Sequence, residues 1–301
     1  MSTTGSGPKL DIPVTCALDC RNTLGESPVW AAAEGALYWV DILEETIHRW
    51  EPAGGGHRTW QVGAAIGSLG LREQGGLVLA LRTGFHLLDT DTGRLTVLAH
   101  PERDVPTNRL NDGKVSPDGR FFAGTMDDRP DKEPVAALYR LDPDGAVRRV
   151  VGGLKVSNGL AWSPDGRILY HSDSRGGAVW RYPYDLDSGE LGERTPFVAY
   201  DPAWGRPDGA AVDTQGCYWS CGVSAGRLNR FSPAGELLGW VEMPVTHPTM
   251  PCFGGPDLAT LYVTSLRDGV PAETLARTPQ AGSLFQLEPG VAGAPVGAYK
   301  G

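Results

Sequence analysis

A turn glycine followed within a few residues by a short apolar run recurs along this chain, and that recurrence limits the fold more than any other feature. Gly35 precedes Leu37-Tyr38-Trp39-Val40-Asp41, and Gly76 precedes Leu77-Val78-Leu79-Ala80-Leu81. Gly119, Gly166 and Gly216 introduce Phe121–Met126, Leu169–Asp173 and Cys217–Ser220 in the same way, and Pro256-Asp257 introduces Leu261–Ser265. A second element follows each copy. It is a strand of mixed alternation that ends at an acidic or proline turn: Ile47–Pro52, Phe85–Asp89, Leu138–Pro143, Val179–Pro183, Leu228–Pro233 and Leu284–Pro289. The repeat is roughly forty to fifty residues, the period of a propeller blade. Glycine supplies the positive φ of tight turns, and short alternating runs between such turns read as antiparallel strands. The pattern predicts an all-β fold: a six-bladed β-propeller with four antiparallel strands per blade. No long amphipathic helices separate the strands, which excludes a Rossmann arrangement. One short helical turn is expected near Ala272–Ala276.

The 301 residues accommodate this plan as a single domain over 13–301, preceded by a small, polar, flexible tail over 1–12. A ring of blades must be closed, because a free edge strand invites aggregation. Val14–Leu18 is the segment placed to join the last blade. The net charge of −9 argues against a nucleic-acid footprint and an anionic-membrane surface, and is compatible with a cation as ligand. Five cysteines, an odd count in a large chain, fit a reducing cytoplasm, with the thiols buried on strands rather than bridged. No secretory signal and no membrane-spanning apolar run is visible.

Four of the repeats also place an amide or carboxylate just before a strand: Glu26, Asn111 or Asp112, Asn158 and Asp208. The polar run Arg109-Leu110-Asn111-Asp112-Gly113 carries a cation, an amide, a carboxylate and a glycine in five residues. Asn158 in Ser157-Asn158-Gly159-Leu160 and Asp208 in Pro207-Asp208-Gly209 occupy matching positions, and Glu26 in Leu24–Trp30 occupies the matching position of the first blade. Taken singly, an Asn-Gly or Asp-Gly pair is usually just a turn. If the blades are rotationally related, these oxygens instead converge on one axis. An all-oxygen set suits a hard cation, Ca²⁺, Mg²⁺ or Mn²⁺, and three protein ligands leave room for water and substrate. The histidines share no spacing, and no His-Glu-x-x-His or Gly-x-Ser-x-Gly motif is present. The tryptophans and tyrosines read as blade packing; Trp204, in the loop before Asp208, is the exception, a candidate to stack on a substrate ring or to form a lid.

On Leu24–Trp30, Asn108–Lys114, Gly124-Thr125-Met126, Ser157–Leu160, Pro207-Asp208-Gly209, Cys252–Gly255 and Ala281–Phe285, the chain resembles the regucalcin/gluconolactonase family of sugar lactonases. The resemblance runs from about Leu24 to the C-terminus. It implies a divalent-metal-dependent lactonase that opens an aldonolactone, such as gluconolactone, to its aldonic acid. The implied metal ligands are Glu26, Asn158 and Asp208, with Ca²⁺ first and Mg²⁺, Mn²⁺ or Zn²⁺ as alternatives. Asp208 is the expected general base. Arg109 and Asn111 are the implied sugar contacts. The family's acidic contact falls in Asp127-Asp128-Arg129, where the strict offset gives Arg129 and Asp128 is the substitute. The partner is a small-molecule sugar lactone, and a monomer is the default state. Two other readings keep the metal site: an organophosphate or non-sugar ester hydrolase, and a non-catalytic calcium-binding propeller. A polar pocket around Arg109, Asn111 and Asp128 favours the sugar.

Overall fold

A computed structural model describes residues 7–301. Its sheets are six, each of four antiparallel strands, and each is a blade. The inner strands, which line the central channel, are Gly25–Ala31, Ile66–Leu71, Asn108–Val115, Ser157–Trp162, Arg206–Val212 and Pro248–Gly254. In blades one to five the four strands follow one another from the channel outward. Blade six runs Pro248–Gly254, Thr260–Ser265 and Leu284–Leu287, and its fourth strand is Thr15–Leu18. Thr15 pairs with Gln286 and Cys16 with Phe285. The chain's beginning thus closes its last sheet, and no blade is left one strand short.

The turn-glycine signals mark the second strand of each blade, and the mixed-alternation signals mark the third. The second is covered on two faces, by neighbouring blades, whereas the third is partly open, as in Thr46–Trp50. Cover on both faces is why Ala36–Asp41 and Leu77–Leu81 are buried at every residue. The outer strands carry a half-exposed pattern, as in His57–Gln61. Helix is confined to one turn at Pro202–Trp204 and to Ala272–Arg277, where the short turn was expected. No helix among the described residues is long and apolar enough to cross a membrane.

Aromatic pairs join the blades. Phe85 meets Phe121 between blades two and three, with ring centroids 6.0 Å apart, and Phe122 meets Trp162 between three and four at 5.3 Å. Tyr170 meets Tyr218 between four and five, Trp219 meets Phe253 between five and six, and Trp30 stacks on Tyr262 between one and six. Such pairs add about 0.5–1.5 kcal/mol each beyond the area they bury. The blade-packing reading of these residues is therefore what the structure shows.

Of the tail expected over 1–12, residues 1–6 lie outside the described residues. Residues 7–12 run along blade five: the Leu10 N–H donates to the Trp240 carbonyl at 2.7 Å, and Leu10 and Ile12 pack on the blade-five and blade-six core. Their apolar side chains gain more from that cover than from solvent.

Candidate metal centre

Every inner strand slips register against its neighbour, and it does so near the same end. The slips fall between Glu26 and Val29, Ile66 and Ser68, Leu110 and Gly113, Asn158 and Ala161, Pro207 and Ala210, and Pro248 and Pro251. A bulge of this kind frees residues from the ladder and re-aims their side chains. Glu26, Asn111, Asn158 and Asp208 sit at these slips. In blade one, Ser27 adopts φ +50°, an unusual value for a serine, and its N–H donates to Glu26 Oε2 at 2.8 Å. Blade two contributes Gly67 and no polar group. A Cβ there would lie 2.4 Å from the Leu110 carbonyl oxygen and 2.5 Å from that of Asn111.

Hydrogen bonds between blades then fix the amides. Asn111 Nδ2 donates to the Ser157 carbonyl at 2.9 Å and to Asn158 Oδ1 at 3.2 Å. Asn158 Nδ2 donates to Ser174 Oγ at 2.7 Å, and Ser174 Oγ donates onward to the Pro207 carbonyl at 2.6 Å. Blades three, four and five are thereby tied together, and Asn158 presents its oxygen on the side away from Ser174. Arg109 Nη1 donates to Asn111 Oδ1 at 2.8 Å and to the Leu110 carbonyl at 3.1 Å. Arg109 Nε lies 3.6 Å from Asp128 Oδ1, and Asp128 also pairs with Arg82. Arg129, the residue at the strict family offset, is bound instead to the fully buried Asp127, with Nη2 to Oδ2 at 2.8 Å. The pocket therefore has Asp128 beside Arg109, and Arg129 turns away from it.

Sequence reasoning offered Asp112 only as the alternative to Asn111 among the converging oxygens, and assigned no role to Lys114 or Ser174. Asp112 is buried. Its Oδ2 accepts the Leu160 N–H at 3.0 Å, while its Oδ1 has no hydrogen-bond partner. Lys114, also buried, donates Nζ to the Ala210 carbonyl at 2.5 Å. Asp112 and Lys114 stand in the same polar run as Asn111, which was the available signal. Ser174 follows a strand end and carries none. Trp204 is not a lid. It is buried against Tyr200 and Phe231, at 5.7 and 5.6 Å, so its stacking partners are core residues.

The electrostatics of the centre are those of crowded carboxylates. Burial, then the charges of Asp208 and Asp112, push Glu26 well above the usual carboxylate range. Burial and then Asp112 push Asp208 up to about 8, against the opposing pull of Arg206 and Arg109. Burial raises Asp112 to about 6, with Lys114 opposing. Carboxylates in this condition gain when a cation is brought among them. The unpartnered Oδ1 of Asp112 marks the same deficit of positive charge. Among the described residues no three His, Cys, Asp or Glu side chains gather closely enough to hold an ion alone. A metal here would be held by Glu26 and Asp208 together with the Asn158 amide oxygen, a hard oxygen set. The donor chemistry fits a divalent cation.

Past the bulges the channel changes character. Its other half is apolar, lined by Trp30, Leu69, Trp162, Val212 and Met250, and the C-terminal residues Ala294–Gly297 line it as well.

Comparison with known proteins adds to this geometry. The family model described as SMP-30/Gluconolactonase/LRE-like region matches residues 24–267. A 6-deoxy-6-sulfogluconolactonase of Pseudomonas putida is 43% identical over 279 residues, which cover 92% of this chain and 95% of that protein. Regucalcin of Oryctolagus cuniculus is 37% identical over 296 residues, covering 96% and 99%. The solved structure of a calcium-binding protein, regucalcin, from Agrobacterium tumefaciens superposes with a TM-score of 0.90 at 28% identity, covering 98% of both chains.

Proposed function

The chain belongs to the SMP-30/gluconolactonase/LRE-like family, and on that premise we propose that it is a divalent-metal-dependent lactonase that hydrolyses an aldonolactone to its aldonic acid. The observation that carries the reading is the arrangement at the bulges. Glu26, Asn158 and Asp208 come from three different blades at equivalent register slips, and the Arg109–Asn111–Asp128 set lies beside them. The names of the relatives, a sulfogluconolactonase and regucalcin, support the same class. A polar pocket holding Arg109, Asn111 and Asp128 favours a sugar over a non-sugar ester or an organophosphate.

Glu26, Asp208 and Asn158 would hold the ion. A bound divalent cation supplies Lewis acidity to the lactone carbonyl and to a water beside it. The rest falls to the chain's own groups. Asp208, as carboxylate, takes the proton from the attacking water as its oxygen bonds to the carbonyl carbon. The ring C–O bond then breaks, and the same proton is returned to the departing ring oxygen. Arg109 holds substrate hydroxyls by charge-assisted hydrogen bonds, and Asn111 holds Arg109 in place through its Oδ1. Asp128 sets the guanidinium from its other side.

The test is acid release from an aldonolactone by protein that has been stripped with chelator and reloaded with Ca²⁺, Mg²⁺, Mn²⁺ or Zn²⁺, with spontaneous opening subtracted. Reloading restores turnover. Glu26→Gln and Asp208→Asn each lower kcat by at least about 100-fold, the scale of losing a catalytic electrostatic group, while the β-sheet circular dichroism is kept. Full activity in either variant, or no acceleration with any of the four ions, overturns the proposal.

A further inference from the structure

We propose that Asp112 and Lys114 are positioning residues of the metal centre: through them, one strand of blade three holds the ligand-bearing bulges of blades four and five at a fixed spacing. The inference rests on the metal-dependent reading of the site. It adds the residues that keep Asn158 and Asp208 in place.

The fold creates the need. An inner strand has a sheet neighbour on one side only, and its register slip takes further backbone groups out of the ladder. A buried backbone N–H or C=O without a partner is costly, so these groups must be met from elsewhere. In blade four the slip runs from Asn158 to Ala161, and the Leu160 N–H inside it donates to Asp112 Oδ2 at 3.0 Å. In blade five the slip runs from Pro207 to Ala210, and the Ala210 carbonyl at its end accepts from Lys114 Nζ at 2.5 Å. The two contacts are equivalent. Leu160 stands two residues past Asn158, and Ala210 two residues past Asp208. Each grip therefore falls on the backbone that carries one metal ligand, at the same offset from it.

Both grips come from the strand Asn108–Val115, and neither is local: the first spans 48 residues of chain and the second 96. Lys114 reaches past blade four to blade five. Asn111, on the same strand, bonds Asn158 Oδ1 itself. Asp112 and Lys114 are only 3% and 9% exposed. Burying a carboxylate and an ammonium is expensive, and lysine is among the side chains least often found inside. A neutral donor meets the comparable need between blades six and one, where Thr249 Oγ1 donates to the Gly25 carbonyl, next to Glu26. What the charged groups add is strength, since charge-assisted hydrogen bonds are roughly twice as strong as neutral ones. The ammonium also has a cost for the centre. It is bonded two residues from Asp208, where it repels a divalent cation. The hold on Ala210 is the return for keeping a charge that opposes the metal.

The experiment is titration calorimetry of Ca²⁺ into chelator-stripped full-length protein, at a temperature where circular dichroism shows each variant folded. A purely structural role would lower the melting temperature and leave the Kd of the folded protein unchanged. Asp112→Ala is expected to raise that Kd by about 10–100-fold, as loss of an outer-shell partner does. Asp112→Asn loses the charge but keeps an acceptor for the Leu160 N–H, and recovers most of that loss. Lys114→Met, similar in length and uncharged, reverses the sign between the two roles. If the ammonium acted only as a charge, its removal would tighten Ca²⁺ binding; as a grip on blade five, its removal weakens binding by about tenfold or more. Unchanged or tighter binding in Lys114→Met, or equal losses in Asp112→Asn and Asp112→Ala, overturns the proposal while the metal centre stands. Where Lys114→Met fails to fold, the two Asp112 variants decide. Wild-type protein that binds no Ca²⁺ overturns the metal centre and the positioning pair together.

Discussion

At the scale of single residues, the centre holds carboxylates in a state they would not choose in water. The consequence is a linkage between protons and metal. Metal-free folded protein holds Asp208 near 8 against an ordinary value of 3.8. The folded chain therefore keeps a proton that the unfolded chain has lost. This contribution to stability is fully present below about 4 and is lost as pH rises to about 8. Calcium on the ionised carboxylates removes the penalty. The rise in Tm on adding Ca²⁺ is thus expected to grow from about pH 4 to about pH 8 and then level off, as read by thermal denaturation with and without chelator; a pH-independent rise would contradict the assignment of Asp208. Ser174 gives a second test. Its hydroxyl fixes which atom of Asn158 faces the centre, so Ser174→Ala should weaken Ca²⁺ binding by roughly 10–100-fold in calorimetry, the usual cost of removing a group that orients a ligand. Glu26, Asn158 and Asp208 could be singled out as candidates from sequence because the repeats that hold them carry a polar residue at the same place. Ser174 could not. Its role depends on a contact to the Pro207 carbonyl, 33 residues further along, and no local pattern encodes that.

At the scale of elements, the inner-strand bulge is the device that turns a blade into part of a site. Six copies exist, and they have diverged in what they present. Blade one offers a carboxylate, blade three an amide and a carboxylate, blade four an amide and blade five a carboxylate. Blade two offers Gly67, because the carbonyls of Leu110 and Asn111 occupy the space a side chain would need. Gly67→Ala is expected to cost about 1–3 kcal/mol by overpacking and also to lower kcat/KM, since the atoms that must yield belong to the strand bearing Asn111. Urea unfolding and lactone kinetics check the two effects separately. Unchanged kinetics with lowered stability would mean that the strand yields without moving its amide. Legibility varied strand by strand. The second strand of each blade was readable, because burial on both faces selects continuous apolar runs, and the third was readable from the acidic or proline turn that ends it. The outer strands were not, since a half-exposed edge tolerates almost any sequence. The bulges themselves were invisible, because a register slip is a property of two strands.

At the scale of the whole molecule, closure decides stability. The contacts that join the ring include the strand Thr15–Leu18 in blade six, the Trp30–Tyr262 stack, and Thr249 Oγ1, which donates to the Gly25 carbonyl at 2.6 Å between blades six and one. Deleting residues 1–18 leaves Leu284–Leu287 as an open edge. Such a protein is expected to melt at a lower temperature and to self-associate through that edge, measurable by scanning calorimetry and light scattering; a monomer with unchanged Tm would show that closure contributes little. The same ring geometry makes the centre a property of the assembly. Residues from Glu26 to Asp208 meet only when the blades are in place, so loss of closure should also cost metal affinity.

The sequence by itself determined the repeat, the all-β class and the number of blades, because strand burial and turn chemistry are local and leave a periodic mark. It also determined which residue types stand at equivalent places in successive repeats. The tertiary structure alone decided that Asp128 and not Arg129 faces Arg109, that Trp204 belongs to the core, and that Lys114 is buried beside Asp112. Each of these depends on which atoms of distant segments come within hydrogen-bonding or Coulombic reach, a quantity fixed by the packing of blades against one another rather than by any single stretch of chain.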